Sequence, residues 1–151
     1  MKLLGVYPGQ SAPIFKAQTQ KGNTVDLEKL RGEVVLIDYW ASWCGPCAKE
    51  LPTLRKAYKR FADRGFEIIS ISFDTEVAAM NQFAAREKMT WPLIWAEGGE
   101  ESDLAKLYNI SGIPATFLIG PDGKVIDTDL RGRKLLRRIE KQLAVRKHTR
   151  E

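Results

Sequence analysis

Apolar positions along the chain form two kinds of pattern. Residues 34–39 (VVLIDY) and 66–73 (FEIISISF) are continuous, β-branched apolar runs, which are typical of strands covered on both faces of a sheet. Shorter apolar runs bounded by turn residues indicate further strands, and Gly- or Pro-containing turns predict hairpins within 14–25 and 114–130. The predicted strands are residues 14–18, 23–25, 34–39, 66–73, 91–95, 114–119 and 124–130.

Helical spacing of apolar residues fills the intervals between the strands. The predicted helices are residues 46–64, 76–89, 101–108 and 133–146. The side chains expected on their buried faces are Leu51, Leu54, Tyr58, Phe61, Val77, Met80, Phe83, Ala84, Leu104, Leu107, Tyr108, Leu135, Leu136, Ile139 and Leu143. Pro52 falls inside the first helix and is expected to bend or break it.

The alternation of strands and helices predicts an α/β fold with a mixed central β-sheet flanked by helices on both faces. The sheet is expected to be mixed because the hairpin within 114–130 adds antiparallel strands. A chain of 151 residues is long enough to bury a core without staples, so we expect a single domain.

The net charge of +5 is concentrated at one end of the chain. Residues 131–151 carry nine Lys/Arg against two Glu, a net charge of +7, while the other 130 residues have a net charge of −2. A basic end of this kind favours either the solvated face of a helix or contact with an anionic membrane surface. Nucleic acid is not expected as a partner, since no aromatic residues are interleaved for base stacking.

No targeting or membrane-spanning segment is evident in the sequence. No apolar run approaches the roughly 20 residues that cross a bilayer. The N-terminal stretch MKLLGVYPGQ is shorter than the roughly 7–15 apolar residues of a secretory signal. The chain is therefore expected to be either cytoplasmic or lacking a targeting segment that has been removed.

The only two cysteines, Cys44 and Cys47, lie within WASWCGPCAKE. A structural zinc site would need four ligands, and beyond these thiols the chain offers only His148 as a further nitrogen or sulfur ligand, so no metal is expected. A purely structural bridge would close a very small loop and contribute little stability. Two inert buried thiols remain an alternative. A redox pair is the interpretation that also explains the neighbouring residues.

In the redox interpretation, Cys44 stands where a strand stops and a helix begins. Unpaired N–H groups and the positive end of the helix dipole stabilise a thiolate at that position. Pro46 is tolerated in the first helical turn because its missing N–H would have no partner there. Cys47 is expected one turn further on and deeper. The arrangement predicts that Cys44 attacks a partner's disulfide and that Cys47 then resolves the mixed disulfide.

Two carboxylates accompany the cysteine pair. Asp38 interrupts an otherwise apolar strand, and an unpaired buried carboxylate is costly enough to need a reason. Glu50 follows Cys47 by three residues and so lies on the same helix face. Either carboxylate could accept the Cys47 proton, and both would raise thiol pKa values, which favours a reductant over a strong oxidant. The alternatives are a satisfied strand-end acid for Asp38 and an exposed helix residue for Glu50.

These residues make the chain resemble thioredoxin-fold thiol-disulfide oxidoreductases, and more narrowly the TlpA/ResA/DsbE branch. The resemblance rests on four separated stretches: the lead-in from Pro13-Ile14-Phe15 to LEKLRG within 1–32, YWASWCGPC with Glu50-Leu51-Pro52, Gly112-Ile113-Pro114-Ala115-Thr116, and Pro121-Asp122-Gly123-Lys124. The resemblance implies an N-terminal β-hairpin, a central insertion at 74–110 and a basic C-terminal helix and tail at 131–151. Having both Asp38 and Glu50 is unusual for the branch.

The resemblance also implies roles for residues around the cysteines. Pro114 would be cis, and the Ile113 backbone would pair with an incoming peptide strand. Trp43 would cover the site, next to Gly45 and Pro46, as part of the substrate-binding surface. The implied partners are protein disulfides or dithiols and an upstream thiol donor, with no cofactor and a monomeric state. The implied location is extracytoplasmic in a bacterium, with the signal or anchor absent from this chain; the cytoplasm is the alternative.

Two other functions are compatible with the same fold. A peroxiredoxin has a Thr three residues before its reactive cysteine, but here Ala41 or Cys44 stands at that position, depending on which cysteine is tested. The hydroxyl that would bind peroxide is therefore missing. The second alternative is a thioredoxin-fold binding module whose thiols do not turn over.

Overall fold

A computed structural model describes the backbone of residues 5–150 and the side chains of residues 5–145. Among the described residues, the strands are β1 Lys16–Gln18, β2 Thr24–Asp26, β3 Val34–Trp40, β4 Phe66–Ser72, β5 Leu93–Trp95, β6 Ala115–Ile119 and β7 Val125–Thr128. The α-helices are α1 Gly45–Phe61, α2 Val77–Arg86, α3 Asp103–Leu107 and α4 Gly132–Arg150. Short 3-10 helices occupy Leu27–Leu30, Ala62–Arg64 and Gly99–Glu101.

The central sheet has five strands in the order β5-β4-β3-β6-β7. β3 pairs in parallel with β4 and antiparallel with β6, which confirms the predicted mixed sheet. All seven residues of β3 are buried, as its continuous apolar run predicts. β1 and β2 form a separate antiparallel hairpin, also as predicted.

Helices cover both faces of the sheet. Successive residues of a strand point to opposite faces. The Trp40 ring packs against Phe83 of α2, with ring centroids 5.5 Å apart. On the other face, the Tyr39 hydroxyl donates a hydrogen bond of 2.9 Å to the Leu104 carbonyl of α3. The predicted placement of helices on both faces is therefore confirmed.

The first helix differs from its prediction at both its middle and its end. Pro52 lies inside α1, and α1 runs unbroken to Phe61, so of the expected bend or break the break is wrong. Pro52 removes one backbone donor, but Leu51 and Leu54 on either side are buried and hold the helix in place. After Phe61 the backbone forms the 3-10 helix Ala62–Arg64, and this helix is capped by Gly65. The φ of Gly65 is 97°, which suits a residue without a Cβ.

Two apolar residues predicted on buried faces are exposed instead. Val77 and Leu107 are each 40% exposed, because they stand at the first position of α2 and the last position of α3, where the helix face has not yet turned inward or has already ended. Met80 and Ala84 of α2 are buried as predicted. In α3 the fully buried residue is Ala105.

The C-terminal helix packs through one apolar stripe. Leu135, Ile139 and Leu143 of α4 are buried, and Leu136 is half-buried. The basic side chains beyond residue 145 and His148 lie outside the described residues. No helix in the described part of the chain is long and apolar enough to cross a membrane.

Candidate active site

The loop between β3 and α1 carries the cysteine pair. β3 ends at Trp40, and α1 begins at Gly45, so Cys44 is the N-cap residue of the helix. The backbone N–H of Cys44 donates to the Ala41 carbonyl at 3.1 Å, which closes the turn before the helix. Cys44 thereby lies at the positive end of the α1 dipole, where a thiolate is stabilised.

Cys44 and Cys47 are joined in a disulfide, with their Cα atoms 5.3 Å apart. The Cys44 sulfur also accepts a hydrogen bond of 3.3 Å from the backbone N–H of Cys47. Both cysteines are 6% exposed, so the expectation that Cys47 lies deeper is not supported by the exposure of the two residues. Trp43, at 67% exposed, projects into solvent immediately before the pair, and Gly45 and Pro46 are exposed between them.

The Ile113–Pro114 peptide bond is cis. Both residues are half-buried and lead directly into β6. Ala115 of β6 pairs with Tyr39 near the end of β3, so the loop that contains Pro114 lies at the same end of the strands as the loop before Cys44. An open groove lined in part by Tyr108 and Pro114 runs beside it.

Asp38 lies on the central strand β3, two residues before its end, and is only 5% exposed. Its carboxylate accepts a hydrogen bond of 2.9 Å from the hydroxyl of Ser70, its neighbour in the β4 register. The Ser70 oxygen accepts in turn from the indole N–H of Trp91 at 2.8 Å. Burial raises the pKa of Asp38 to about 7, the Ser70 hydrogen bond opposes that rise, and the negative charge of Glu50 adds to it.

Glu50 is half-buried on α1 and bonded to a second helix. Its carboxylate accepts a hydrogen bond of 2.7 Å from the backbone N–H of Gly132, the first residue of α4. A carboxylate at that position satisfies one of the open N–H groups of α4 and faces the positive end of its dipole. Glu50 therefore links the cysteine helix to the C-terminal helix, in addition to acting on Asp38 through its charge.

Sequence reasoning missed Asp74, which lies two residues after the end of β4 and is 1% exposed. Its carboxylate accepts hydrogen bonds from the Ser42 backbone N–H at 3.1 Å, from the Ser42 hydroxyl and from the Ser72 hydroxyl at 2.6 Å. The indole N–H of Trp95 donates to the Asp74 carbonyl at 2.7 Å. Asp74 thus fixes the loop that leads into Cys44. The signal available in the sequence was an acid that ends a continuous apolar run.

The arrangement brings a helix-capping cysteine, its bonded partner and a buried acid to one end of the sheet. A dithiol at a helix N-terminus can exchange with a disulfide, and a nearby buried carboxylate can take up or release a proton. Among the described residues, no group of three His, Cys, Asp or Glu side chains converges in a way that could hold a metal ion.

Comparison with known proteins adds an independent line of evidence. A family profile described as the AhpC/TSA family matches residues 8–128. The thiol-disulfide oxidoreductase ResA of Bacillus thuringiensis subsp. konkukian is 31% identical over 135 residues, which cover 89% of this chain and 76% of that protein.

Two solved structures are also similar to this chain. The thioredoxin domain of a thiol-disulfide oxidoreductase from Bacteroides vulgatus is 33% identical, with a TM-score of 0.83 over 91% of this chain and 98% of that domain. A Chlorobium tepidum protein described as thiol:disulfide interchange protein DsbE is 27% identical, with a TM-score of 0.79 over 94% of this chain and 99% of its own.

Proposed function

Because this chain belongs to the AhpC/TSA family and is a thiol-disulfide oxidoreductase of the ResA/DsbE type with a thioredoxin fold, we propose that it reduces disulfides of proteins through Cys44 and Cys47. The predicted family resemblance is confirmed. The observation that carries the proposal is the Cys44–Cys47 disulfide at the start of α1, directly after the central strand of the sheet.

The first step is attack on a partner. In the reduced protein, the Cys44 thiolate attacks one sulfur of the partner's disulfide. A bond forms between Cys44 and that sulfur, the partner's S–S bond breaks, and its second sulfur leaves as a thiolate. The N-cap position of Cys44 supports this role, because the helix N-terminus stabilises the attacking thiolate.

The second step is resolution. Cys47 loses its proton and attacks the Cys44 sulfur, so that the Cys44–Cys47 disulfide forms and the partner's remaining sulfur leaves as a thiolate. Two electrons have then passed from the dithiol to the partner, and an upstream thiol donor restores the reduced pair. We propose that Asp38 accepts the Cys47 proton, directly or through water, since its pKa of about 7 suits a proton acceptor at neutral pH.

Substrate contacts follow from the exposed residues around the pair. Trp43, Gly45 and Pro46 are exposed beside the cysteines, and Ile113 and Pro114 lead into β6 at the same edge of the sheet. We propose that the Ile113 backbone pairs with an extended segment of the partner while Trp43 packs over it.

Substitution of each cysteine tests the mechanism. Cys44→Ser is expected to abolish dithiol-dependent reduction of a protein disulfide, whereas Cys47→Ser is expected to accumulate mixed disulfides with the partner. Non-reducing gels and the rate of insulin reduction measure the two outcomes. Normal turnover by the Cys44 variant would refute the proposed mechanism.

The role of Asp38 is tested by separating the two steps. Asp38→Asn is expected to slow resolution more than initial attack, as followed by rapid mixing with a disulfide substrate. Equal slowing of both steps would remove Asp38 as the proton acceptor and leave Glu50 as the remaining candidate.

The direction of exchange depends on the reduction potential of the pair. Buried negative charge near a dithiol disfavours the thiolate and so favours the disulfide, which supports a reducing role. We expect a reduction potential of about −270 mV for the Cys44–Cys47 pair, close to that of thioredoxin. A reduction potential of about −120 mV would identify an oxidant instead.

A peroxidase remains the alternative enzyme activity. The AhpC/TSA match does not by itself separate peroxide from disulfide substrates. The hydroxyl nearest to Cys44 in the sequence, that of Ser42, donates to Asp74 and is occupied. Turnover of hydrogen peroxide by the reduced protein would favour the peroxidase. Unchanged partner binding by Cys44→Ser without any redox turnover would favour a binding module.

Location and assembly are further proposals. The resemblance to the TlpA/ResA/DsbE branch supports an extracytoplasmic site, which fractionation of cells carrying the full-length gene product would test. We propose a monomer without a cofactor, which light scattering of the purified chain would test. Contact of the basic segment 131–151 with anionic lipid would appear as salt-sensitive binding to phosphatidylserine vesicles.

A further inference from the structure

A hydrogen-bond chain of three buried side chains ends on Asp38. Trp91 is 1% exposed, Ser70 is fully buried and Asp38 is 5% exposed. The indole N–H of Trp91 donates to the Ser70 oxygen at 2.8 Å, and the Ser70 hydroxyl donates to the Asp38 carboxylate at 2.9 Å. The three residues come from β3, β4 and the turn before β5, so sequence proximity does not bring them together.

The direction of the first hydrogen bond in this chain is fixed by chemistry. An indole N–H can only donate, so the Ser70 oxygen must be its acceptor. The Ser70 hydroxyl carries a single hydrogen, and that hydrogen is then free to point at Asp38. A hydroxyl that donates to a carboxyl group stabilises its charged form, whereas one that accepts from it stabilises the neutral form.

We propose that Ser70 and Trp91 are positioning residues: Trp91 orients the Ser70 hydroxyl so that it donates to Asp38, and this donation lowers the pH at which Asp38 exchanges its proton. The proposal rests on the proposed role of Asp38 in resolution. A deeply buried carboxyl group without such a donor would hold its proton to higher pH and could not accept another from Cys47.

Ser70 is the side-chain hydrogen-bond partner found for Asp38 among the described residues. Thr116 of β6 lies opposite Asp38 in the register and carries no charge. On α1, Glu50 is the charged group whose field raises the pKa of Asp38. Cys44 and Cys47 titrate only when the disulfide is reduced. In the part of the chain that the structure describes, Glu50 and Ser70 are therefore the side chains that act on the Asp38 proton in the oxidised protein.

The experiment measures Asp38 itself. The carboxyl carbon of Asp38 is followed by NMR from about pH 4 to about pH 10 in the oxidised protein, where neither cysteine titrates. Ser70→Ala is expected to raise the midpoint by about one pH unit, since a hydrogen bond to the charged form is lost. Trp91→Phe keeps the hydroxyl but frees its orientation, and we expect a smaller rise.

Ser72→Ala is the matched control. Ser72 is a fully buried serine on the same strand, but its hydroxyl donates to Asp74 rather than to Asp38. We expect this variant to leave the Asp38 midpoint unchanged. An unchanged or lowered midpoint in either Ser70→Ala or Trp91→Phe would overturn the proposal, as would an equal rise in Ser72→Ala. If Ser70→Ala does not fold, Trp91→Phe alone decides by the same criterion.

A second measurement separates this proposal from the role of Asp38. The rate of resolution is recorded against pH in the same variants. If the NMR midpoint rises and the pH profile moves with it, both proposals hold. If the NMR midpoint of Asp38 rises but the pH profile of resolution does not move, the positioning role of Ser70 and Trp91 holds and the proposed role of Asp38 fails. If Asp38→Asn slows resolution but the NMR midpoint is the same in Ser70→Ala as in the wild type, the positioning role fails and the role of Asp38 holds.

Discussion

The two buried aspartates on and beside the central strands, Asp38 and Asp74, have opposite surroundings. Asp38 belongs to β3, and Asp74 follows the neighbouring strand β4. Both are almost completely enclosed, at 5% and 1% exposed. Asp74 accepts hydrogen bonds from two groups of Ser42 and from the Ser72 hydroxyl, whereas the side-chain donor found for Asp38 among the described residues is Ser70.

This difference separates a structural acid from a reactive one. A carboxylate held by several donors has a fixed position and ties its partners together, as Asp74 ties the loop before Cys44 to the end of β4. A buried carboxylate with one donor is under-compensated, so that its charge is costly and its proton exchanges in the neutral range. Asp38 and Asp74 are both almost completely buried, so the number of hydrogen-bond donors to each carboxylate is what distinguishes them.

The largest expected effect is the pH dependence of stability that Asp38 causes. Its pKa is about 7 in the folded protein, against 3.8 for an unburied aspartate. Between those values the folded state keeps a proton that the unfolded state has lost, so the free energy of unfolding falls as pH rises through this window. The fall is on the order of 4 kcal/mol.

In Asp38→Asn the free energy of unfolding is expected not to show this fall with rising pH. Urea unfolding at intervals from about pH 4 to about pH 8 measures it, and the difference between the variant and the wild type should grow with pH in favour of the variant. Parallel pH profiles for the two proteins would show that Asp38 is ionised across the whole range and would remove the contrast with Asp74.

The next effect in size is the loss of stability when the Asp74 carboxylate no longer binds Ser42 and Ser72. Asp74→Asn presents an NH₂ group to donors that already point at it, so at least one buried donor loses its acceptor. We expect a loss of about 2–3 kcal/mol in the free energy of unfolding at neutral pH, together with slower attack by Cys44. Urea unfolding and the rate of mixed-disulfide formation measure the two effects.

Ser42→Ala provides the control for that experiment. It removes one donor to Asp74 and leaves the backbone N–H of residue 42 in place. A smaller loss of stability than in Asp74→Asn is expected. If Asp74→Asn unfolds no more easily than the wild type, the carboxylate does not act as a clamp.

The smallest effect is expected from Glu50→Gln. The amide oxygen can still accept the hydrogen bond from Gly132, while the negative charge that raises the pKa of Asp38 is gone. The Asp38 midpoint should therefore fall by a fraction of a pH unit, opposite in sign to Ser70→Ala. Glu101→Gln, an exposed substitution with the same change in net charge, should leave the midpoint where it is; an equal fall there would mean that net charge alone is responsible.

Local pattern predicted the frame of the fold and the position of the cysteines. Continuous apolar runs predicted β3 and β4 nearly to the residue, and the strand-then-helix order predicted that Cys44 stands next to the start of α1. Those features depend on neighbours in sequence. The burial of Val77 and Leu107 was mispredicted, because tertiary packing decides where a helix face begins and ends. Of the bend or break expected at Pro52, the break does not occur.

The hydrogen-bond partners of the two acids could not be predicted. Ser70 and Asp38 are 32 residues apart, as are Asp74 and Ser42, and each pair meets only because β3 and β4 lie side by side in one particular register. A shift of one residue would place Ser70 on the opposite face of the sheet. The sequence therefore identified Asp38 as unusual but gave no sign of what compensates it.

The two outer strands of the central sheet, β5 and β7, both form hydrogen bonds with the N-terminal segment 9–20. The backbone and side chain of Gln20 bond to Leu93 of β5, while Gly9 and Gln10 bond to Val125 of β7. Open strand edges are templates for pairing with other molecules, and here a segment made early in synthesis must wait for β7, the last strand to be made, before it can close that edge. Until β7 has been made, β6 is the unpaired outer strand of the sheet, so aggregation during folding should begin at β6.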